Sequence, residues 1–500
     1  MLTVKNTAIR NIRKFWNHCL FHPTDAIEDP WGKRILDRMA ADGSIQTVRI
    51  YAMLEDIVYT DENGVLQYDF RLSDLRLDYM VEKGYDLLIA YAGMPDCIAK
   101  TTLHKTNVAK NKTRYKGKMF NTSPPADYAQ WEEVCYQYTK HNVERYGLAR
   151  VSGWHCHCFN EPDIPAFFLS ELPFEAKDIR LAEYCKLYAA FQRGVRRVSE
   201  KIPVGGPALA GACQFDFLGG FLDYVKHCSL KLDFISWHNY GTEPHRMENG
   251  TRPITVSNSI ENQNAFDKTV KEHGFDNLPV IVDEWGAATG GFCNKEDFPS
   301  LMFRETEVFS AYYAKLICEH IRHDHAIEKM MLCLSGQHEM TEDFSGFRNF
   351  FTLNFIAKPI YNAHRLAAKL GNTLLDYEED RTENLYILPT KKQDGGYAVL
   401  LSYSAEYFEE DLAPLNLHVN LPDEIFGQKL DIWCIDKTTT NPYRLSQKIG
   451  DASQTPEGLQ LLRKEGQLIP IFSTILTSTA VPELHMTANS VFLIETTPAV

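Results

Sequence analysis

The sequence lacks the features of a membrane protein or a nucleic-acid-binding protein. No apolar run approaches the roughly 20 residues that a helix needs to cross a bilayer. The formal net charge is −14, and no long basic run interrupts this acidic balance. Such a surface repels polyanions. We therefore expect neither a membrane nor a nucleic acid as a partner.

Two further absences bear on the cellular compartment. The 12 cysteines follow no framework spacing, which is typical of reduced thiols rather than of a disulfide scaffold. The first residues, MLTVKNTAIRNIRKFW, include basic side chains but neither the apolar core nor the cleavage site of a signal peptide. We expect a cytoplasmic protein, with a periplasmic or secreted one as the alternative if a leader has been removed.

Short apolar runs alternate with longer amphipathic segments through residues 12–372. The runs are rich in Val, Ile and Leu, as the buried strands of parallel sheets are. Eight strand–helix units predict an α/β fold, a (β/α)₈ TIM barrel. A doubly wound open sheet is the alternative, but no glycine-rich phosphate turn follows the first strand. The eight runs are FWNHCLF, IQTVRIYAM, YDLLIAYAG, WHCHCFNEPD, IPVGGPAL, LDFISWHNYG, LPVIVDEWG and EKMMLCLSG.

The pattern changes in residues 373–500. Segments such as GGYAVLLSYS and QKLDIWCID alternate polar and apolar residues and are separated by Gly, Pro, Asn and Asp. This pattern predicts a C-terminal antiparallel β-sandwich, an accessory domain to which residues 1–11 are a candidate addition. A homo-oligomer is left open.

Three predicted barrel strands end in polar residues. The fourth ends at Asn160 and Glu161, the sixth at His238 and Tyr240, and the seventh at Glu284. Active sites of such barrels lie at the C-terminal ends of the strands. Glycoside hydrolysis requires two carboxyl groups, one to protonate the leaving oxygen and one to attack the sugar or activate water. Glu161 and Glu284 are therefore candidates for a catalytic pair.

Simpler interpretations of these segments remain open. Glu161 before a proline is also an ordinary acid in a turn. Neighbours on a strand point to opposite faces, so we expect Asp283 to form an ion pair behind the barrel. The HCHC stretch at 155–158 suggests zinc, but its histidines and cysteines lie on opposite strand faces and cannot converge as tetrahedral ligands. We expect no metal and no cofactor.

Motifs spread over nearly the whole chain point to one family: TVRIYAMLEDIVY, PPADYAQWEEVCYQYTKHNVERYG, FNEPD, VGGPALAG, LDFISWHNYG, VIVDEWG, KPIYNAHRLAAKLG and IDKTTTNPYRL. These segments resemble glycoside hydrolase family 39, the family of β-xylosidases and α-L-iduronidases, within a clan of retaining Glu/Glu barrels. The resemblance implies Glu161 as the general acid/base and Glu284 as the nucleophile, with carboxyl groups about 5–5.5 Å apart.

The resemblance also implies roles around this pair. Asn160 is expected to hydrogen-bond the sugar 2-hydroxyl, and Tyr240 to contact the nucleophile, with His238 on the same rim. Arg49 is expected to keep Glu284 ionised, because a nearby opposite charge lowers a carboxyl pKa by about 1–3 units. For Tyr240, His238 and Arg49, packing or ion pairing inside the barrel is the alternative.

Several positions at the sugar subsite depart from the family pattern. Trp285 is expected to border the sugar, with core packing as the alternative. Tyr51 stands where the family usually has His, and Phe159 where it usually has Trp. After the eighth strand no Trp occurs until Trp433, and the candidates for that wall are Gln337, His338 and Glu339.

The sequence thus predicts a retaining glycosidase that cleaves β-linked, xyloside-like oligosaccharides or glycosides through a glycosyl-enzyme. One alternative is a barrel that binds glycans without cleaving them. The other is an α-L-iduronidase-like enzyme for acidic sugars, which would need extra cationic groups in its pocket.

Overall fold

A computed structural model of the chain describes residues 1–21, 30–106, 119–211, 215–243, 255–334, 340–406, 410 and 412–498. Within these ranges no helix is long and apolar enough to cross a membrane.

Eight parallel strands close into a barrel, which confirms the predicted fold. Each strand pairs with the next one along the chain, and the eighth pairs with the first. The barrel strands are β2 (His18–Leu20), β3 (Thr47–Tyr51), β6 (Asp86–Tyr91), β9 (His155–Cys158), β10 (Val204–Leu209), β11 (Phe234–Tyr240), β12 (Val280–Gly286) and β13 (Ile327–Cys333).

Helices surround the barrel and follow its strands. The long helix after the third barrel strand illustrates the local rules, because the Asp127 carboxylate caps its first turn and Gly147, at φ 81°, ends it. The helices are α1 (Pro30–Asp42), α2 (Arg71–Glu82), α3 (Tyr128–Tyr146), α4 (Leu148–Val151), α5 (Lys177–Val198), α6 (Phe215–His227), α7 (Val256–Glu272), α8 (Glu307–Arg322) and α9 (Pro359–Ala368). Short hairpins in the loops pair β4 (Val58–Thr60) with β5 (Leu66–Tyr68) and β7 (Lys105–Thr106) with β8 (Phe120–Asn121).

A second, eight-stranded sheet lies beside the barrel. Its strands, with those of a separate two-stranded pair, are β1 (Leu2–Asn11), β14 (Thr373–Glu379), β15 (Leu385–Lys391), β16 (Tyr397–Tyr403), β17 (Leu415–Leu417), β18 (Val419–Asn420), β19 (Lys429–Ile435), β20 (Phe472–Ile475), β21 (Leu484–Met486) and β22 (Ser490–Thr497). The order of the large sheet is β18-β1-β14-β15-β16-β22-β19-β20, and neighbouring strands are antiparallel except β1 and β18, which are parallel. The separate pair is β17 with β21.

The two faces of this sheet meet different partners. On β16, Val399 and Leu401 pack with Leu417 and Met486 of the two-stranded sheet, whereas Leu400 joins the core shared with the barrel. This alternation is the strand period that the sequence displays. The N-terminal β1 pairs with β14. The division of the chain at residue 372 stays a prediction.

A helical insertion between β19 and β20 was missed in the sequence. It consists of α10 (Pro442–Ile449) and α11 (Pro456–Glu465), and both helices start at an Asn or Thr cap followed by proline. That cap-plus-proline pair is a recognised start signal. Leu462 of α11 packs on Phe344 and Ile356 in the loop after β13, so the insertion supports a loop at the barrel mouth. The described residues also form 3₁₀ helices at Leu54–Asp56, Pro299–Glu305, Asp423–Ile425 and Gly450–Gln454.

The barrel interior contains an apolar layer with polar side chains beyond it. Leu88, Phe234, Ile281 and Met331 form a small buried cluster inside the barrel. Arg49 and other polar side chains occupy the interior closer to the C-terminal strand ends. These side chains therefore lie at the end of the barrel where such enzymes place their sites.

Candidate active site

Glu284 of β12 is held by three donors. Its Oε1 accepts hydrogen bonds from Arg49 Nη1 at 2.8 Å and from the Tyr51 hydroxyl at 3.1 Å. Its Oε2 accepts one from the Tyr240 hydroxyl at 2.6 Å. Burial raises the pKa of Glu284, but the positive charges of His238 and Arg49 and the Tyr240 hydrogen bond outweigh it and hold that pKa well below its usual range. Glu284 is therefore a buried, ionised carboxylate.

Glu161, at the end of β9, has a different environment. Its Oε1 lies 2.7 Å from His238 Nδ1. Burial lowers the pKa of His238, but the charges of Glu284 and Asp283 overcome this and raise it to about 10. At neutral pH His238 is therefore an imidazolium that donates to Glu161.

The two glutamates face each other closely. One oxygen of Glu161 and one of Glu284 lie within 4.8 Å of each other. Inverting glycosidases separate their carboxyl groups by about 6.5–9.5 Å to admit a water molecule, and retaining ones by about 5–5.5 Å. The short approach fits direct attack by one carboxylate on the sugar.

The same three side chains are also the candidate metal ligands. Within the described ranges, Glu161, His238 and Glu284 offer ligand atoms that all lie within 4.8 Å of one another. A metal would have to displace the proton of His238, whose pKa is raised to about 10, and compete with Arg49 for Glu284. The donor set therefore fits a carboxylate pair held by cations better than a resident metal.

Arg49 of β3 connects the parts of the site. Its Nη2 donates to Asn160 Oδ1 at 2.7 Å, and its Nε lies 3.1 Å from both His157 Nε2 and Asp283 Oδ2. His157 accepts the hydrogen bond as a neutral ring, because burial and the charge of Arg49 lower its pKa to about 3. Arg49 thus binds Glu284 and orients Asn160 from one fully buried guanidinium.

The expectation that Asp283 pairs behind the barrel is wrong. Its carboxylate is fully buried inside the barrel, 3.1 Å from Arg49 Nε and 3.7 Å from His238 Nε2. Between β11 and β12, Trp237 pairs with Val282 but His238 pairs with Glu284. Asp283 is the extra residue of this β-bulge, and a bulge lets consecutive side chains face the same side.

Two residues expected at the sugar subsite are buried in the core. Trp285 is 1% exposed and stacks on Tyr313 of α8 at 5.5 Å between ring centroids. Phe159 is 4% exposed and packs edge-on against Phe168 at 5.4 Å. These contacts are the core packing weighed as the alternative for Trp285, and contact of either residue with a sugar stays a prediction. Gln337, His338 and Glu339 lie outside the described residues.

Asn160, Tyr51, His238, Tyr240 and Arg49 do come together with the glutamates. Asn160 Oδ1 accepts from Arg49 and from the Tyr51 hydroxyl. Its Nδ2 is buried and has no partner in the described part of the protein. Asn160 therefore has a donor available at the cleft.

The HCHC segment spreads its donors apart. Cys156 and Cys158 lie in the core around the barrel, His157 lies under Arg49, and His155 lies 3.5 Å from Glu328. This is the arrangement that strand alternation predicts.

Two site residues were not anticipated. Arg348, in the loop after β13, donates to the Tyr240 hydroxyl at 2.8 Å. No periodic pattern marks this loop position. Asp163 lies two residues after Glu161, and both its oxygens lie within 3.1 Å of the Ala210 amide. Burial, with a contribution from the charge of Glu161, raises the pKa of Asp163 to about 7. An acid so close to Glu161 in sequence was the available signal.

Known proteins resemble between about half and all of the chain. A β-xylosidase of Caldicellulosiruptor saccharolyticus is 24% identical over 476 residues, 91% of this chain and 89% of the relative. The human α-L-iduronidase is 23% identical over 260 residues, 47% of this chain and 35% of the relative. The crystal structure of a monomeric β-xylosidase from Caulobacter crescentus CB15 has a TM-score of 0.81 at 19% identity and covers 100% of this chain and 99% of that one.

The family model described as glycosyl hydrolases family 39 matches residues 1–464. A match of this extent covers the barrel and most of the second sheet. The chain is therefore a glycosidase and belongs to glycosyl hydrolases family 39, a family of retaining enzymes.

Proposed function

We propose that this enzyme cleaves β-linked, xyloside-like glycans, with Glu284 as the nucleophile and Glu161 as the general acid/base. The observation that carries the proposal is the unequal treatment of two close carboxyl groups. Glu284 receives Arg49, Tyr51 and Tyr240 as donors, whereas the contact to Glu161 is His238. One acid is thereby kept as an anion, and the proton-transfer role falls to the other.

In the first step, the sugar binds between the two acids. Glu284 attacks the anomeric carbon, the bond to the leaving oxygen breaks, and Glu161 gives that oxygen its proton. His238 occupies Oε1 of Glu161, so the proton is transferred from Oε2. The buried Nδ2 of Asn160 is positioned to donate to the sugar 2-hydroxyl, an interaction that strengthens in the transition state.

In the second step, water replaces the leaving alcohol. Glu161 removes a proton from the water, whose oxygen attacks the anomeric carbon, and Glu284 leaves as a carboxylate. Arg49 and Tyr240 stabilise the returning negative charge, because both already donate to that carboxylate. The anomeric configuration is retained after the two displacements.

The choice of sugar rests on the relatives and on the local charges. A relative that matches 91% of the chain is a β-xylosidase. The described cations at the site already contact protein groups: Arg49 contacts Asp283 and Glu284, and Arg348 contacts Tyr240. A neutral pentoside therefore suits the site better than an acidic sugar. The complete carboxylate pair also favours catalysis over glycan binding alone.

The test is hydrolysis of a panel of aryl glycosides: β-xyloside, β-glucoside, β-galactoside, α-L-arabinoside and α-L-iduronide. We expect turnover of the β-xyloside, at most trace activity for Glu284→Ala, and normal activity for the exposed control Glu175→Ala. Turnover of the iduronide alone would replace the proposed substrate, and binding without turnover in every case would replace the proposed reaction.

The roles of the two acids are separated by a second experiment. A 2-fluoro-β-xyloside should become attached to Glu284, located by peptide mass spectrometry. For Glu161→Ala, we expect the first step to be lost with poor leaving groups and largely kept with dinitrophenol. Equal losses for good and poor leaving groups would remove the acid role from Glu161.

A further inference from the structure

The strand β20 forms an exposed edge of the second sheet. It pairs with β19 on one side, and the sheet order ends there within the described residues. Residues 471–475 are all exposed. Large apolar side chains stand in and beside this strand: Ile469 is 53% exposed, Ile471 51%, Phe472 39% and Ile475 58%.

The backbone of this edge has hydrogen-bonding groups that face outward. The Leu476 amide donates to the Gln428 carbonyl on the β19 side at 2.9 Å. Because successive residues of an antiparallel strand face opposite edges, Ser473 and Ile475 direct their backbone groups away from β19. Such an edge is a template for another strand unless charges, bulges or prolines protect it. Pro470 and the irregular bond from the Ile471 amide to the Ile432 carbonyl at 2.7 Å lie at the start of the strand, before Ser473.

Charge protection is absent here. Residues 466–482 contain no Asp, Glu, Lys or Arg, although charged residues make up 24% of the chain. The chain as a whole has a net charge of −14, so two copies repel each other over most of their surfaces. The uncharged edge is a place where a second copy can approach without that penalty.

We propose that β20 pairs antiparallel with β20 of a second copy, forming a twofold dimer with one continuous sheet. A strand that pairs with itself across a dyad needs no other partner sequence, and Ile475 and Phe472 gain cover from their symmetry mates. The strand is short, so the interface is smaller than the roughly 1,200–2,000 Å² of stable complexes. The dimer is therefore expected to dissociate in the micromolar range.

The test is sedimentation velocity of the full-length chain from about 1 to 100 µM, a range that brackets weak association. We expect a monomer–dimer transition for the native chain and for Ile179→Lys, a matched change at an exposed isoleucine of α5. Ile475→Lys and Ser473→Pro, which add a charge or remove an outward amide, are expected to stay monomeric at 100 µM. A native chain that is monomeric throughout, variants that dimerise normally, or growth beyond a dimer would overturn the proposal.

A separate observation concerns the loop that follows β9. Phe159 and Glu161 have φ angles of 63° and 44°, a left-handed region that residues other than glycine rarely adopt. Such conformations persist when surrounding contacts enforce them. The amide of Glu161 donates to the Ala208 carbonyl at 2.9 Å, just beyond the turn.

Asp163 forms a second contact between the loop after β9 and the end of β10. Its oxygens accept from the Ala210 amide at 3.0 and 3.1 Å, and its carbonyl accepts from Arg180 Nε at 3.2 Å. Both Asp163 and Arg180 are fully buried. The loop is thus bound to the end of β10 twice, through the Glu161 amide and through the Asp163 side chain two residues later.

We infer that Asp163 is a positioning residue for Glu161, an inference that rests on the proposed acid/base role. Glu161 must lie within hydrogen-bonding reach of the leaving oxygen to transfer its proton. Without the hydrogen bonds between Asp163 and Ala210, the left-handed backbone at Glu161 relaxes, and its carboxyl group moves out of reach of the leaving oxygen. The loss should then fall on substrates that need a proton most.

The test compares leaving groups in the intact enzyme. For Asp163→Ala, we expect kcat/KM to fall about 10- to 100-fold for a methyl or unsubstituted phenyl β-xyloside, but less than about threefold for a dinitrophenyl one. Asp163→Asn, which keeps one acceptor oxygen, should recover most of the activity. If Asp163→Ala does not fold, Asp163→Ser serves in the same series.

The outcomes separate the two hypotheses. Equal losses on all leaving groups in the Asp163 variants, alongside a steep dependence in Glu161→Ala, would overturn only the positioning role. A flat dependence in Glu161→Ala would overturn the acid/base role itself. We expect Asp163→Asn to recover kcat/KM and both variants to unfold at the temperature of the native enzyme. If Asp163 only stabilised the fold, the loss of activity would be accompanied by a lower unfolding temperature.

Discussion

Removing the hydroxyl of Tyr240 isolates its contribution to the charge on Glu284. This hydroxyl donates to Glu284 Oε2 at 2.6 Å and accepts from Arg348 Nη1 at 2.8 Å. A hydrogen bond to a charged group contributes about 1.5–3 kcal/mol, which corresponds to about 10- to 150-fold in rate. In Tyr240→Phe the loss should appear where Glu284 regains its charge, in breakdown of the glycosyl-enzyme.

The assay is pre-steady-state hydrolysis of dinitrophenyl β-xyloside, or of whichever aryl glycoside the panel identifies. For Tyr240→Phe we expect kcat and KM to fall together, with a burst of dinitrophenol equal to the enzyme concentration, because the glycosyl-enzyme accumulates. The control is Tyr51→Phe. Its hydroxyl lies 3.1 Å from Oε1, an oxygen that Arg49 also binds, so a loss under about tenfold is expected. A raised KM with unchanged kcat in Tyr240→Phe would refute the reasoning.

Three other perturbations test the assignments around the pair. Trp285→Ala leaves a cavity against Tyr313 and should cost about 3–5 kcal/mol in urea unfolding with KM unchanged; a changed KM at native stability would return Trp285 to the sugar. The pKa of His238 is raised from 6.5 to about 10, so its stabilisation is full below pH 6.5 and lost as pH rises through 10. Thermal midpoints should thus fall over that range more steeply than in His238→Asn, and parallel curves would contradict this. In Arg49→Lys the pKa of Glu284 should rise, because the guanidinium contact that lowers it is lost, and the acid limb of kcat/KM should move to higher pH; an unmoved limb would contradict the pairing.

The barrel and its catalytic end could be predicted because both depend on local rules. Buried parallel strands are continuous apolar runs, and the ends of three of them carry polar residues such as Asn160 or His238. The architecture brings those ends to one rim. Arg49 was placed at the nucleophile by family resemblance, and the structure puts it 2.8 Å from Glu284.

The errors have two physical causes. Strict alternation fails at the bulge between β11 and β12, and no residue type in VIVDEWG announces that Asp283 is the extra residue. Alternation puts Trp285, the neighbour of Glu284, on the outer face of the strand, where it stacks on α8. Arg348 reaches Tyr240 from an irregular loop, and such loops carry no periodic signal.

The division of labour between two identical side chains depends on their donors. The fold distinguishes two carboxyl groups that lie within 4.8 Å of each other. It directs Arg49, Tyr51 and Tyr240 to Glu284, while Glu161 meets His238. Those donors come from β3 and β11, far apart in sequence, and they converge only because the barrel closes. A glutamate in this site is therefore expected to act as the acid or as the nucleophile according to the hydrogen-bond donors around it. Exchanging those donors between the two positions, rather than exchanging the glutamates, is what would exchange the two roles.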